Sequence, residues 1–334
     1  MTKTLRFSVP ALLSTRGAGF GNEVIAWGKA FIGAQELGLR TLHPAWSMNQ
    51  RPYRHDFGTS LLDWPAHKVL RRALPSITVD GSMASTHDDY ADVMRTLAER
   101  VARKRGPLVL VHTSGMSGGY YGIRGARDFL RTAVESPAHV AGDTYRIRQR
   151  LSPEKLTVAL HIRAGDFADN NGGPQPGQFN TMLPIEWYAA TGENLRAAFR
   201  HNIDFVIFTD DERNPGIVSL AKELKAVPLP DRARPLLSDI QTMASADLLL
   251  CSVSSLSMFA AFISNKPYIW YGPHLGEKTG LRSIWGHEDT QAQGLTAANA
   301  AVYEQDPLVT RGTAVMQDGA LTRGFHQCWA EGCV

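Results

Sequence analysis

The chain has 334 residues, and its 35 Lys and Arg against 32 Asp and Glu leave a formal net charge of +3. That near-balance excludes an acidic solvating chain and gives no support to a nucleic-acid binder, which concentrates positive charge on one face. A hydrophobic share of 43% with 20% charged residues is globular composition, long enough for a full core and about two domains.

Residues 5–43 read as strand, glycine-rich turn, helix and strand. Leu5 to Leu13 is short and apolar, and Gly17-Ala18-Gly19-Phe20-Gly21-Asn22 breaks it. Apolar positions then recur at Val24, Trp27, Phe31 and Ala34 with helical spacing. Gly38 suits the end of that helix, and Leu39 to Leu42 is extended before Pro44. Residues 44–80 show no clean period and read as loop with short helices. Asp88 to Arg105 reads as a helix, and Pro107 to His112 as a buried strand opening onto a loop, Thr113 to Gly125, that holds five glycines. Arg124 to Glu135 and Thr144 to Arg150 read as helices.

From residue 151 the alternation is regular. Strands are expected at Leu156 to Ile162, Asp204 to Thr209, Ala226 to Leu229, Asp247 to Ser252 and Pro267 to Tyr271. Between them lie helices from Pro184 to Arg200, from Asn214-Pro215 to about Lys225, from a Ser238/Gln241 capping box to Ala246, and from Ser254 or Ser255 to Ser264. This is the pattern of an α/β fold with parallel sheets. The expected domains are 1–150 and 151–334, both Rossmann-like, facing each other across a cleft. The tail from about 285 is weakly patterned, with a final helix returning to the first domain as one option.

Three cysteines, at 251, 328 and 333, are too few for a disulfide framework and favour a reduced compartment. The most apolar 18-residue window, 246–263, contains Asp247 and several serines, so no spanning helix is expected and only peripheral membrane contact stays open. Phe7 to Leu13 behind Lys3 and Arg6 imitates a secretory leader, but cleavage near Ala18 would damage the glycine-rich turn; a cytoplasmic location is expected.

Ligands of open α/β sheets sit outside the carboxyl ends of the strands. In the second half those ends carry His161-Ile162-Arg163-Ala164-Gly165-Asp166, then Thr209-Asp210-Asp211, then Ser252-Val253-Ser254-Ser255. Each has a plainer reading: a core imidazole at His161, a surface ion pair at Arg163, a turn at Asp210-Asp211, an N-cap at Ser254. The first half's Gly17-x-Gly19-x-Gly21 also departs from a dinucleotide fingerprint, and no acidic residue follows about 20 positions on. A guanidinium, carboxylates and a hydroxyl-bearing helix start on one sheet edge nevertheless suit a nucleotide-linked ligand.

Four segments resemble the GDP-fucose-dependent fucosyltransferase superfamily (α1,2-, α1,6- and protein O-fucosyltransferases). His161 to Asp166 resembles its His-x-Arg-Arg-x-Asp donor motif, and Gly19-Phe20-Gly21-Asn22 its N-terminal glycine-rich segment. Thr209-Asp210-Asp211 is similar to its Asp-Asp strand end, and Ser238 to Asp247 continuing to Ser254-Ser255 to its third motif. The resemblance implies a GT-B-type fold and an inverting transfer from a GDP-sugar to a glycan acceptor, with no metal or other cofactor. It implies that Arg163 holds the donor β-phosphate, with Ser254 and Ser255 on the same diphosphate. Asp239 would accept from guanine, the His161 backbone would touch the base, and Gly19, Gly21 and Asn22 would approach from the opposite, acceptor-side domain. One departure is plain: the motif's second arginine is Ala164 here, which loosens the link to fucose more than the link to a GDP-sugar.

The same chemistry follows from the residues. Breaking a sugar–phosphate bond sends negative charge onto the diphosphate, and an arginine fork with a helix N-terminus stabilises it without an ion. An acceptor hydroxyl also needs a base; Asp166 is the first candidate, with Asp169 and Glu23 behind it, beside a loop at Asn170 to Pro174 suited to closing over the acceptor. Trp46, Tyr53, Trp64, Tyr120 and Tyr121 are either acceptor-stacking aromatics or core. Two other readings remain: a non-catalytic nucleotide-sugar or glycan-binding protein, and a transferase for a different nucleotide sugar. Asp239 favours guanine over uracil, because only guanine offers paired N–H donors.

Overall fold

The structure, a computed structural model, describes residues 5–11, 19–46, 51–84, 89–113, 115, 118–165, 181–229, 235–275, 305–322 and 325. The chain divides into two compact units that part between Ala133 and Val134.

In the first unit, β1 (Arg6–Pro10) leads to α1 (Phe20–Leu37) and β2 (Arg40–Thr41). Short helices α2 (Tyr53–Phe57) and α3 (Asp63–Ala73) precede β3 (Ser76–Val79). Then come α4 (Gly81–Ala84), α5 (Tyr90–Arg103), β4 (Leu108–His112), a 3-10 segment at Tyr121–Ala126 and α6 (Arg127–Glu135). The sheet is wholly parallel in the order β2-β1-β4-β3. Central β4 is buried at all five positions, which its unbroken Leu-Val-Leu-Val run requires of a strand covered on both faces. Gly38 closes α1 in the left-handed region, at φ 62°. Asp89 caps α5 by accepting from the Ala91 N–H. Strand β3 was not expected within residues 44–80; four residues on a sheet edge carry too little alternation to show in sequence.

Four polar side chains meet inside this unit. His112 Nε2 lies 2.7 Å from Ser8 Oγ, whose proton goes to the Ala30 carbonyl at 2.7 Å. Its Nδ1 lies 2.6 Å from the Tyr90 hydroxyl. A neutral imidazole with its proton on Nε2 satisfies all three contacts. Lys29, 1% exposed, stands 5.2 Å from the centroid of the Tyr90 ring and donates to the Gly115 carbonyl at 3.0 Å. Gly33 permits the cluster: a Cβ there would come within 2.8 Å of His112 Cε1.

The second unit contains α7 (Ala138–Arg148), β5 (Leu156–Ile162), α8 (Ile185–Ala198), β6 (Ile203–Thr209) and α9 (Pro215–Glu223). After these come α10 (Leu236–Ser245), β7 (Leu248–Leu250), α11 (Ser255–Ile263), β8 (Tyr268–Tyr271), α12 (Gly272–Leu275), a helical turn at Pro307–Thr310 and β9 (Gly312–Val315). All five strands are parallel, in the order β6-β5-β7-β8-β9. Trp187, Tyr188 and Leu195 of α8 pack with Val158, Leu160 and Ile162 of β5 and Phe205 of β6 in its core. Both units are therefore α/β with parallel sheets.

Three local expectations are corrected here. Ala226 to Leu229 forms no strand; one bond, Val227 N–H to the Phe205 carbonyl at 2.8 Å, is its tie to edge strand β6. No Ser238/Gln241 capping box forms: Pro235 holds the cap position, the Ser238 hydroxyl donates to Asp143 Oδ2 at 2.6 Å, and Gln241 reaches Glu135. Helix α7 begins six residues before Thr144, after Pro137, and this segment of the expected first domain lies in the second unit. Much of the tail from about 285 lies outside the described residues; those described, 305–322 and 325, belong to the second unit. There β9 extends the sheet, Arg311 Nη1 donates to the Ser264 and Lys266 carbonyls at 2.6 and 2.8 Å, and Asn194 donates to Gly319 O at 2.8 Å.

Candidate functional site

Counted from β5, the second sheet runs 2-1-3-4-5, so the order reverses between β5 and β7. At such a point the connections leave on opposite faces, and the crevice beyond the carboxyl ends is where α/β sheets bind ligands. Here β5 runs out into His161-Ile162-Arg163-Ala164-Gly165, and β7 into Cys251-Ser252-Val253-Ser254 before α11.

His161 joins the two strand ends. Its buried ring places Nδ1 2.9 Å from Ser252 Oγ. That oxygen accepts from the Ser254 N–H at 3.2 Å and lies 3.3 Å from Ser257 Oγ. Ser254 in turn caps α11, accepting from the Leu256 N–H at 3.2 Å. The α11 N-terminus, with Ser255 as its first residue, is thus fixed by a chain of bonds starting on the neighbouring strand. Burial first, then the Arg163 charge, lowers the His161 pKa to about 4 against an opposing pull from Asp210, so the ring is neutral at pH 7.

Arg163 is positioned just as firmly. Its Nη1 lies 3.0 Å from Asp210 Oδ2, at the end of β6, while Asp210 Oδ1 accepts from the Ala164 and Gly165 N–H groups at 2.9 and 3.1 Å. Burial raises the Asp210 pKa, but those two amides and the guanidinium outweigh it, and the net shift is downward. Gly165 is required by this turn, because a Cβ would stand 2.8 Å from Asp210 Oδ2. The Asp210 carboxylate so helps to orient the planar fork. Asp210 organises this turn, a role that the strand-end match in the sequence does not assign to it. Its signal is tertiary: the pair spans 47 positions and becomes visible once Ile162 is registered opposite Thr209.

The other expected residues are dispersed. Asp239 lies half-buried in the first turn of α10. Gly19 occupies the N-cap position of α1, the Gly21 carbonyl accepts from the Tyr120 hydroxyl at 2.8 Å, and Asn22 and buried Glu23 share that first turn, all in the first unit. The His161 backbone, expected to touch the base, lies within the sheet, and its carbonyl accepts from the Tyr188 hydroxyl at 2.9 Å. Asp166, Asp169 and Asn170 to Pro174 lie outside the described residues, as do Gly17 and Ala18. Trp46, Tyr53, Tyr120 and Tyr121 are buried. The first two pack with Phe20 and Phe57 in an aromatic core, which removes those four from acceptor stacking; Trp64 instead carries Lys68 Nζ 4.5 Å from its ring centroid. Among the described residues no trio of His, Cys, Asp or Glu is placed to hold a metal ion, and no helix is long and apolar enough to cross a membrane.

These features define an α/β protein whose second unit gathers an arginine, its carboxylate partner and a serine-capped helix start at neighbouring strand ends. No family model matches the sequence, and no curated protein matches it. Among solved structures, the chain is similar to a mutant of Arabidopsis thaliana FUT1 in complex with GDP. The identity is 11% and the TM-score 0.39, over 80% of this chain and 70% of that one.

Proposed function

We propose that the protein is an inverting, metal-independent glycosyltransferase on a GT-B-like pair of Rossmann-like domains. It would move a sugar, fucose by the motif resemblance, from a GDP-sugar to a glycan. The observation that carries this reading is the pairing at the strand-order reversal: Arg163 held by Asp210 at one strand end, and the Ser254-capped start of α11 held by His161 at the next. A fixed fork beside a helix N-terminus is what a diphosphate leaving group needs.

In the reaction the acceptor hydroxyl oxygen bonds to the anomeric carbon on the face opposite the diphosphate. The bond from that carbon to the β-phosphate oxygen breaks, and its electron pair goes to the GDP oxygen facing Arg163 and the α11 amides. The hydroxyl proton passes to a carboxylate, for which Asp166 is the proposed base. Asp239 is proposed to accept from guanine, Ser255 to assist Ser254 on the diphosphate. The test is GDP release from GDP-fucose by purified protein with a glycan acceptor. Release is expected with or without EDTA and lost in Asp166→Asn; a strict Mn²⁺ requirement contradicts the metal-free route, and full turnover in the variant removes Asp166.

Ala164, in place of the motif's second arginine, favours the other readings, a different nucleotide sugar or binding without transfer. Its N–H serves Asp210 while its side chain brings no charge. A larger melting shift with UDP than with GDP decides for the former, and tight GDP-sugar binding without product for the latter.

Asp210→Asn is expected to weaken GDP binding about tenfold, because the amide keeps one acceptor but loses the charge that aims Arg163. Titration calorimetry checks this; unchanged affinity would show that Arg163 needs no such anchor.

A further inference from the structure

We infer that α3 is a docking surface for an anionic lipid bilayer; the inference is independent of the donor-site reading. One face of the helix is committed to the protein: His67 is buried against the His43 carbonyl at 2.9 Å, and Leu70 and Leu74 pack on the cluster of Val9, Val109 and Val111. An adjoining face, at Leu62, Ala66, Val69 and Ala73, repeats every three or four residues and is exposed throughout. Leu61, Leu62 and Val69 are 65%, 69% and 65% exposed. Single exposed apolar residues are ordinary, but a stripe of them on one helix with a dileucine turn at its tip marks an interaction surface.

Charge selects the occupant. Arg72 and then Lys68 border the stripe on the side away from the committed face, with Arg71 beyond them, and no carboxylate among the described residues forms an ion pair with any of the three. Residues 51–74 hold five Lys and Arg against two Asp, so this segment alone equals the net charge of the chain. An apolar stripe edged by long basic side chains matches the boundary of a bilayer: the leucines and valine enter the acyl region while the ammonium and guanidinium groups reach lipid phosphates.

The test is co-sedimentation of the full chain with vesicles of phosphatidylcholine alone or mixed with phosphatidylglycerol. Binding to the mixed vesicles is expected to be about tenfold stronger and to fall as salt rises. It should disappear in the double variant Leu62→Asp with Val69→Asp, and weaken in Lys68→Glu with Arg72→Glu. Because Leu62 and Val69 are mostly exposed, circular dichroism melting of the Leu62→Asp, Val69→Asp variant should be unchanged. Equal binding to both vesicles, or full binding by the double variant, overturns the inference. So does a dimer in light scattering that the double variant converts to monomer, since that would assign the face to a second copy.

Discussion

Replacing Arg163 by alanine is expected to cut turnover at least about a hundredfold, the usual loss when one transition-state charge donor is removed. The reasoning is geometric. The guanidinium projects from the end of β5, anchored through Nη1 by Asp210 at 3.0 Å, and no other cation follows β5 or β7 among the residues described there. A flexible ammonium in Arg163→Lys restores charge but not the planar fork, so partial rescue is expected. Steady-state kinetics with GDP-fucose checks both variants. Near-normal kcat in the alanine variant would remove Arg163 from the chemistry.

The second large effect concerns acid stability. Burial lowers the pKa of His161 to about 4 and of His112 to about 3, with Arg163 and Lys29 respectively adding to the shift. Unfolded histidines titrate near 6.5. Between that value and the native ones the unfolded chain binds more protons than the folded one, so stability falls as pH drops through this window. At about 1.4 kcal/mol per pH unit for each ring, the two together withdraw several kcal/mol by pH 4. Ser8, Tyr90 and Lys29 face His112; Ser252, Arg163 and Asp210 face His161. Melting curves from pH 7 to pH 4 should fall steeply in the wild type and less so in His112→Asn or His161→Asn. A flat profile in the wild type would show that these rings accept protons in the folded state. Asp210 adds to this slope lower down: its lowered pKa stabilises the fold above the ordinary carboxylate range, and that contribution is lost as pH falls through its native value.

Much of this fold was legible because its signals are local. The apolar run of β5 ends where the sequence predicts, at Ile162, and the Asn214-Pro215 start and the Ser254 cap both form. The strand-end motifs followed directly, since a β-strand carries its next residues to the sheet edge. What escaped was set by distant partners. Ser238 has the sequence of a capping box, yet it spends its hydroxyl on Asp143, 95 residues away. Asp210 looks like turn chemistry until its partner Arg163 is in place, and Lys29 interrupts no helical period while being fully enclosed. The edge strands β3 and β9, four residues each, are held by neighbours more than by their own pattern.

The central claim is that a carboxylate-aimed arginine and the first turn of α11 together grip a diphosphate at the carboxyl edge of the second sheet. A crystal structure with GDP tests it most directly. The account predicts phosphate oxygens within hydrogen-bond distance of the Arg163 guanidinium and of the N–H or hydroxyl groups at Ser254 and Ser255. Nucleotide bound elsewhere, or a guanidinium turned away from it, would contradict the account.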